Sequence, residues 1–299
     1  MRVLTVDDWT TRAADHAARV GALLDAHPQH LPDGRDHPVW QFLFRYYSHK
    51  PARLRRWHPG FGVGLAGAPD HRDWPHYVRV DDAAGGSVVT VGHAHLDARR
   101  DTVAHVTRLL SATAGRAPRW NCFGLHEWAM VYRDSAVRRH HVPLRLSPAE
   151  TDRVVDRQGL RCTHFDAFRF FTDDAVGRNT QELTRATQVA TEQPGCVHAG
   201  MDLYKWATKL EALVGSDVVV DALALAFDLR ELDMRASPYD LRDLGFAPVA
   251  VETPRGRAQY VAHQRELADR AASIRSDLLA RCRSLASATT VDEPLTTAE

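Results

Sequence analysis

The sequence predicts a mainly α-helical fold: a single helical domain with one small β-hairpin element near residues 77–95. Apolar residues recur at the spacing of an amphipathic helix in several segments, whereas one stretch alternates as paired strands do. The 299 residues contain no internal repeat and no clear interdomain linker, and a chain of this length can bury a large core. We therefore expect one globular helical domain over residues 1–285 and a disordered C-terminal tail over residues 286–299.

The individual helices are predicted from their caps and their apolar periodicity. Asp7 and Asp8 are suited to cap the first helix, Pro38 suits the first turn of the second, and Ser147 suits the cap of another. Helices are expected over residues 7–26, 37–50, 100–115, 125–133, 148–158, 218–234 and 257–283, and from about residue 197. Residues 183–195 are expected to form a loop.

The hairpin is predicted over two β-branched stretches, residues 77–80 and 87–96, which flank the turn sequence "DDAAGG". Valine and threonine favour strands, and aspartate with glycine favours the turn between them. This element is expected to be the β-structure of an otherwise helical domain.

Composition favours a cytoplasmic protein. The net charge is zero and the pI is about 7.3, which argues against strong non-specific binding to nucleic acid. Four cysteines are few for this length and are expected to be thiols. The sequence contains no apolar run long enough to span a membrane, and its N-terminus carries charges throughout. We therefore expect a cytoplasmic location without a membrane partner; the oligomeric state is not predicted.

The first candidate site contains His126 and Glu127. On a helix these neighbours point about 100° apart, so one metal ion would not readily take both. Either side chain is suited to acid–base catalysis in an aromatic pocket that Trp128 helps to line. Cys122 precedes His126 by four residues and shares its face if the helix begins early. The alternative interpretation is an aromatic core helix with one capped histidine.

The second candidate site lies in residues 161–171. Aromatic and polar residues alternate there, which predicts a strand with His164 and Asp166 on one face. Such a pair either holds a ligand or has one member orient the other. The alternative interpretation, equally supported, is a structural hydrogen bond between His164 and Asp166 at the edge of an aromatic strand, with no substrate.

The third candidate site is the stretch "QPGCVHAGMDLYKWATKL". His198 and Asp202 are spaced to share a helix face, either as two metal ligands or as a base with the group that orients it. Lys205 is suited to an ion pair with Asp202, and Tyr204 or Lys205 to the polar end of a substrate. Gly200 costs a helix ~1 kcal/mol relative to alanine, which favours a close approach of a ligand to the backbone.

Two further segments are less specific. Residues 42–60 interleave aromatic and cationic side chains, among them Tyr46, Trp57 and His58. Stacking for a base and charge for a phosphate would use such a mixture, although a buried aromatic helix followed by a solvated arginine turn has the same composition. The carboxylates of residues 230–241 either line a pocket or pair with arginine at a helix end.

Cysteine and histidine recur close together at residues 122–126, 162–164 and 196–198. If these pairs meet at one place in the folded chain, zinc or iron is the expected bound metal ion. The Cys-x-x-Cys and His-Glu-x-x-His patterns that mark zinc most clearly are absent from the sequence. A metal site, in this interpretation, draws its ligands from His126, His164, His198, Asp166 and Asp202.

Several stretches together resemble a family of actinobacterial proteins of similar length that are labelled 3-methyladenine DNA glycosylases. The resemblance covers about residues 37–265 and rests on "HPVWQFLFRYYSHKPARLRRWHPG", "CFGLHEWAMVYR", "HFDAFRFF", "QPGCVHAGMDLYKW" and "RELDMRASPYDLRDLGFAPVAVETPRGRAQYV". It implies a repair-type hydrolase that cleaves the N-glycosidic bond of an alkylated purine. The partner would be damaged DNA or a purine-like small molecule, and no cofactor would be required.

An alkylated purine is a good leaving group, so such an enzyme needs to stack the base and supply a carboxylate. The candidate catalytic residues are Asp202, His198, Glu127 and His126. The candidate substrate-binding residues are Trp57, His58, Tyr46, His164, Asp166, Tyr204, Lys205 and Trp128. The alternative function is a metal-dependent small-molecule enzyme, using iron or zinc, built in a helical bundle from histidine and carboxylate ligands.

Overall fold

A computed structural model of the chain describes residues 1–81, 85–134 and 142–288. The elements of the N-terminal half are β1 (Arg2–Leu4), α1 (Val6–Ala26), α2 (Gln41–Tyr46), α3 (Pro51–Leu54), β2 (Val63–Ala66), α4 (Pro69–Arg72), β3 (Tyr77–Asp81), β4 (Ser87–Val91), α5 (His93–Asp97), α6 (Arg100–Ala114) and α7 (Leu125–Ala129). Those of the C-terminal half are α8 (Pro148–Gln158), α9 (Phe165–Phe168), α10 (Asp173–Val176), α11 (Gln188–Thr191), α12 (Val197–Lys209), α13 (Glu211–Val214), α14 (Ser216–Ala236), a 3-10 turn (Arg242–Leu244) and α15 (Pro254–Ser287). The predicted fold class, mainly α-helical with a small β-element, is confirmed.

The β-element is a small sheet with strand order β1-β2-β4-β3. Strands β3 and β4 pair antiparallel, with Tyr77 opposite Val91 and Asp81 opposite Ser87, so the predicted hairpin is confirmed over these residues. Its second strand is shorter than predicted, because residues 93–96 belong to α5. Part of its predicted turn, residues 82–84, lies outside the described residues. Strand β2 pairs antiparallel with β4 and parallel with β1. The sequence analysis missed β1 and β2 because each is only three or four residues long.

Four helices form the core around which the candidate site is built. Helix α12 packs against α14 and α15, and α15 packs against α14 and α6. Helix α14 is apolar on nearly all sides, as a helix enclosed by others should be, and most of its residues are buried. Buried apolar side chains from Leu4 to Leu285 form one cluster.

Gly200 sits where α12 crosses α14. A Cβ atom at this position would lie 2.6 Å from Leu229 Cδ1, closer than two carbon atoms can pack. The glycine therefore permits close helix–helix packing. The sequence-based explanation, a ligand approaching the backbone at Gly200, is wrong.

Most of the long helices were predicted within a few residues. Thr5, rather than Asp7 or Asp8, caps α1, because its side chain accepts a hydrogen bond from the Asp8 amide. Ser147 caps α8 as the sequence suggested, and the structure adds a capping box in which Glu150 bonds back to Ser147. Helix α15 begins at Pro254, three residues earlier than expected, and ends at Ser287. Most of the predicted disordered tail, residues 289–299, lies outside the described residues.

Three local predictions are corrected. Residues 161–171 do not form a strand, because α9 turns over Phe165–Phe168 and His164 stands at its N-cap. The second helix does not begin at Pro38 but at Gln41. The expected loop over residues 183–195 contains the single helical turn α11. Among the described residues, no helix is long and apolar enough to cross a membrane.

Candidate functional site

Two clusters of histidine and carboxylate side chains lie next to each other in the protein interior. We call His126, His198 and Asp233 the first set, and His164, Glu192 and Asp202 the second set. Within each set, one potential ligand atom from every residue lies within 4.8 Å of the others. The ring centroids of His198 and His164 are 5.4 Å apart, so the two sets adjoin.

The first set is assembled from three helices. His126 lies in the short helix α7, which the chain enters through Phe123 and Gly124, both with positive φ. A Cβ atom at Gly124 would lie 3.2 Å from Cβ of Ala236, so glycine lets this turn press against α14. Helix α14 contributes Asp233, and the first turn of α12 contributes His198.

The closest contact of the first set joins His126 Nε2 and Asp233 Oδ1 at 2.8 Å. Both atoms are buried, and among the described residues neither makes a well-aligned hydrogen bond; the two groups are held together as an ion pair, and against the effect of burial Asp233 raises the pKa of His126. The His198 ring lies perpendicular to the His126 ring, with centroids 4.3 Å apart. Donor atoms bound to one metal at ~2.1 Å are themselves roughly 3 Å apart, without a hydrogen bond between them.

A buried ion network borders the first set. One amino group of Arg230, Nη1, donates to Glu127 Oε1 at 2.9 Å and to Asp233 Oδ2 at 3.0 Å. The Arg230 side chain is only 1% exposed, so its charge depends on these two carboxylates. Glu127 is therefore occupied by a structural ion pair. Glu127, predicted as an acid–base catalyst, has one carboxylate oxygen, Oε2, without a partner among the described residues.

Electrostatics separate the two histidines of the first set. Burial lowers the pKa of His126, but the adjacent Asp233 outweighs burial and raises that pKa well above its ordinary value. Burial, followed by the neighbouring His126, holds the pKa of His198 well below its ordinary value. His198 is consequently a neutral imidazole with a lone pair, which is the form that binds metals.

The second set is held by a dense hydrogen-bond network. His164 Nε2 lies 3.2 Å from Asp202 Oδ2 and 3.6 Å from Glu192 Oε2. The Tyr47 hydroxyl donates to Asp202 Oδ1 at 3.0 Å, and Gln188 donates to Glu192 Oε2 at 3.0 Å. Burial raises the pKa of Glu192. Burial lowers that of His164, but Asp202 outweighs burial and raises it.

Lys205 links the second set to Asp166. Its ammonium group donates to Asp202 at 2.8 Å and to Asp166 at 2.7 Å. Asp166 also accepts from Arg185 at 2.6 Å and lies 3.4 Å from Arg169. Asp166 therefore belongs to neither set. As part of a metal site it was wrongly predicted, because three cations already surround it.

Several predicted substrate-binding residues lie at the edge of the second set. Tyr46 accepts a hydrogen bond from Arg169 and packs against Tyr47. The Tyr204 ring also packs against Tyr47. The Tyr204 hydroxyl, however, pairs with His49 Nδ1 at 3.2 Å, away from the histidine–carboxylate sets.

The other predicted substrate-binding residues are elsewhere. Trp128 is fully buried in the core and its indole N–H donates to the Ala236 carbonyl. A base cannot stack on a ring that protein atoms cover, and the prediction for Trp128 is corrected on this ground. Trp57 contacts His71, and His58 pairs with the Tyr77 hydroxyl at 2.9 Å, near the sheet.

The thiols lie beside the histidines without taking part in either set. All four cysteines are free, as expected. Cys122 Sγ lies 4.0 Å from His126 Nδ1, and the Cys162 thiol donates to the His164 carbonyl at 3.4 Å. Burial raises the pKa of the Cys162 and Cys196 thiols. These two groups remain protonated, which makes them poor metal ligands.

Sequence reasoning found four of the six members of the two sets. It missed Glu192, which lay in a presumed loop, and it noted Asp233 only as one of several acids near a helix end. A usable signal existed for Asp233: together with Arg230 it places two charges, three residues apart, in a helix whose other positions are largely apolar. Charges in a buried helix require partners.

Comparisons of the chain with protein-family models, with curated proteins and with solved structures find no match. The arrangement of side chains must therefore carry the functional argument. It joins a neutral imidazole, a second imidazole and a carboxylate around one point, next to a buried carboxyl group whose pKa is raised. The first three groups are suited to bind a metal ion, and the last is suited to exchange a proton.

Proposed function

We propose that the chain is a metal-dependent enzyme that acts on a small molecule, with iron or zinc bound by the first set. The observation that carries the proposal is the cluster of three potential ligand atoms from His126, His198 and Asp233 within 4.8 Å of one another, in which the buried atoms His126 Nε2 and Asp233 Oδ1 lie 2.8 Å apart without the alignment of a good hydrogen bond. A cation between them would satisfy both.

The donor set fits this class of ion. Two imidazoles and one carboxylate are the protein ligands of many non-haem iron and catalytic zinc sites, where the remaining positions stay open for water or substrate. When bound, such an ion would supply Lewis acidity or a reactive bound water. Hydrogen bonds to the ligands orient them, and Arg230 serves this purpose for Asp233.

Charge supports the same assignment. Asp233 and Glu127 are two buried negative groups, and Arg230 compensates only one of them. The remaining negative charge requires a cation, which is either a proton on His126 or a metal ion. Because metal binding releases such protons, the two states would exchange with pH.

The second set is better suited to proton exchange than to a second cation. Lys205 already neutralises Asp202, and Tyr47 donates to its other oxygen. Glu192 is buried and its pKa is raised, so it can hold a proton near the first set. In the proposed enzyme Glu192 and His164 hold and transfer a proton.

Hydrolysis of an alkylated purine, which the resemblance implies, stays a second proposal. It is favoured by Asp202, whose pKa is lowered although burial raises it, because Lys205 and His164 outweigh burial. An ionised, buried carboxylate can stabilise the positive charge that develops when such a base leaves. This reaction needs no metal, so metal binding separates the two proposals.

The first experiment is metal analysis of the purified full-length chain, followed by titration of the chelator-treated protein with Co²⁺ and measurement of its visible absorption. We expect one equivalent of bound ion and the d–d bands of a nitrogen- and oxygen-ligated site. His198→Gln should weaken Co²⁺ binding at least ~100-fold, because it removes a ligand.

His105→Gln is the matched control, since His105 is a partly buried histidine that packs on Trp206 outside both sets. It should bind Co²⁺ as the wild type does. Absence of any bound metal, or equal Co²⁺ affinity in His198→Gln and wild type, would overturn the proposed metal site and leave glycosylase activity as the remaining proposal.

A further inference from the structure

A second feature, independent of the proposed metal site, is an open cleft of about 90 Å³. We call it the cationic cleft. It lies between α3, the turn before β3, α5 and the C-terminal end of α12. Its walls include Arg53, Arg56, Arg99, Lys209, His76 and His95.

The protein neutralises the positive charge of the cationic cleft only in part. Within the described residues, no carboxylate lies within ion-pair distance of its three arginines or of the Lys209 ammonium group. Ion pairs are common elsewhere on the surface. Glu211 is the acid on the cleft wall, and it is engaged by His49 Nε2 at 3.2 Å. The cleft therefore presents three arginines and one lysine against the single carboxylate of Glu211 on its wall, which leaves it with a net positive charge.

Burial and the positive charge of the cleft lower the pKa values of its two stacked histidines, His76 and His95. The rings of His76 and His95 stack with centroids 3.7 Å apart. Burial lowers the pKa of His95 to about 4, assisted by His76 and Arg99. Burial also lowers the pKa of His76, assisted by Arg99 and Arg53. Both rings are neutral at pH 7, and an anion beside them would stabilise their protonated, hydrogen-bond-donating form.

The backbone presents the histidine stack at a conformational cost. His76 has φ of +79°, a left-handed conformation that is unfavourable for a residue other than glycine. Strain of this kind persists where the surrounding structure enforces it and is frequent at ligand sites. Trp74, two residues earlier, lines the same cleft. The Arg56 guanidinium lies over its ring, 5.5 Å from the centroid, in a cation–π contact. The ring holds this arginine at the cleft.

We propose that the cationic cleft binds a phosphate group of a small-molecule ligand. Guanidinium groups recognise the paired oxygens of phosphate through two parallel hydrogen bonds, and lysine adds a mobile charge. The volume suits one such group, not a long stretch of nucleic-acid strand. The site does not depend on the proposed metal function, because none of its lining residues belongs to either set.

The test is isothermal titration calorimetry of the full-length protein with inorganic phosphate in a low-salt chloride buffer. Wild type should show saturable binding at one site. The double variant Arg56→Gln/Arg99→Gln should bind at least ~10-fold more weakly, since it loses two charge-assisted hydrogen bonds to the phosphate. Arg153→Gln, a change on the exposed surface of α8, should bind as the wild type does.

Circular dichroism and Tm establish that the double variant is folded; all three arginines exchanged here are exposed, so its fold should be unaffected. Absence of saturable binding to wild type, or equal affinity in the double variant, would overturn the proposal. A labelled single-stranded oligonucleotide tests the source of the phosphate. Binding no tighter than that of inorganic phosphate supports a small molecule, whereas binding ~100-fold tighter, lost in the double variant, would overturn that part.

Discussion

Lys205 donates a hydrogen bond of 2.8 Å to Asp202 from the next turn of α12, and the pair is buried. The same ammonium group reaches Asp166 at 2.7 Å. One lysine thus forms ion pairs with two interior carboxylates. Because Lys205 holds both contacts, its removal should lower the free energy of unfolding.

Lys205→Met should lower the free energy of unfolding by roughly 3 kcal/mol, because the buried Asp202 loses its nearest cation and Asp166 loses one of the three cations around it. Lys209→Met, one turn further along α12 and exposed, should change stability by less than ~0.5 kcal/mol. Urea denaturation of both variants at pH 7 measures the difference. Equal stability of the two variants would show that Lys205 contributes no more than a surface lysine.

Gly200→Ala should destabilise the protein although alanine is the better helix former. The added methyl group meets Leu229 at 2.6 Å, and overpacking costs ~1–3 kcal/mol, against a gain of ~1 kcal/mol in helix propensity. The net loss expected in urea denaturation is about 1 kcal/mol. Gly177→Ala is the control, because no atom lies within 4 Å of its added Cβ.

A double-mutant cycle tests the cause of that loss. Shortening the neighbour by Leu229→Val should make Gly200→Ala less costly by at least ~0.5 kcal/mol, as expected for residues in contact. Additive effects would mean that Leu229 is not what limits residue 200.

His58 should make the protein sensitive to acid. Burial lowers its pKa to about 4, whereas in the unfolded chain it is about 6.5. Between these values the unfolded state binds a proton that the folded state refuses, so stability falls as pH falls from 6.5 to 4. The full difference corresponds to roughly 3 kcal/mol at pH 4 and below.

His58→Asn keeps an acceptor for the Tyr77 hydroxyl but does not titrate. Its free energy of unfolding should therefore decline less steeply than that of wild type between pH 6.5 and 4, while the carboxylates affect both proteins alike. Urea denaturation at half-unit pH intervals gives the two slopes. Parallel curves would contradict a depressed pKa at His58.

Metal binding should stabilise the fold measurably. Adding Zn²⁺ to chelator-treated protein should raise the Tm, since an ion at 100-fold its Kd contributes about 2.7 kcal/mol if it binds only the folded state. Asp233→Asn should show a much smaller rise, and Asp240→Asn, at an exposed pair with Arg242, should match wild type. A rise of the same size in Asp233→Asn would place the ion outside the first set.

The sequence predicted those parts of the fold that depend on local patterns. Helix α8 carries its own cap at Ser147, α12 places polar residues at helical spacing and α14 is a long apolar stretch, so tertiary contacts were not needed to find them. The error at residues 161–171 has a physical cause: alternating aromatic residues fit a buried helical turn such as α9 as well as a strand. Period alone does not distinguish the two over so few residues.

The candidate site was predicted in part for the same reason. His198 and Asp202 share a helix, and His126 and His164 stood out because aromatic residues surround them. Glu192 was missed, since only the packing of the segment around α11 against the core brings it to His164. Which residues form the first set and which the second is a tertiary property that spacing along the chain does not encode.

The Arg230 guanidinium between Glu127 and Asp233 also fixes alignment. A slip of α7 by one residue against α14 would bring Trp128 or His126 to the place of Glu127 and leave the guanidinium facing an indole or imidazole ring instead of a carboxylate. Apolar contacts alone would tolerate such a slip far better, because one hydrophobic side chain can replace another at little cost. The charged trio therefore selects a single registry between two segments that lie far apart in the sequence, and it does so whether or not an ion is bound beside it.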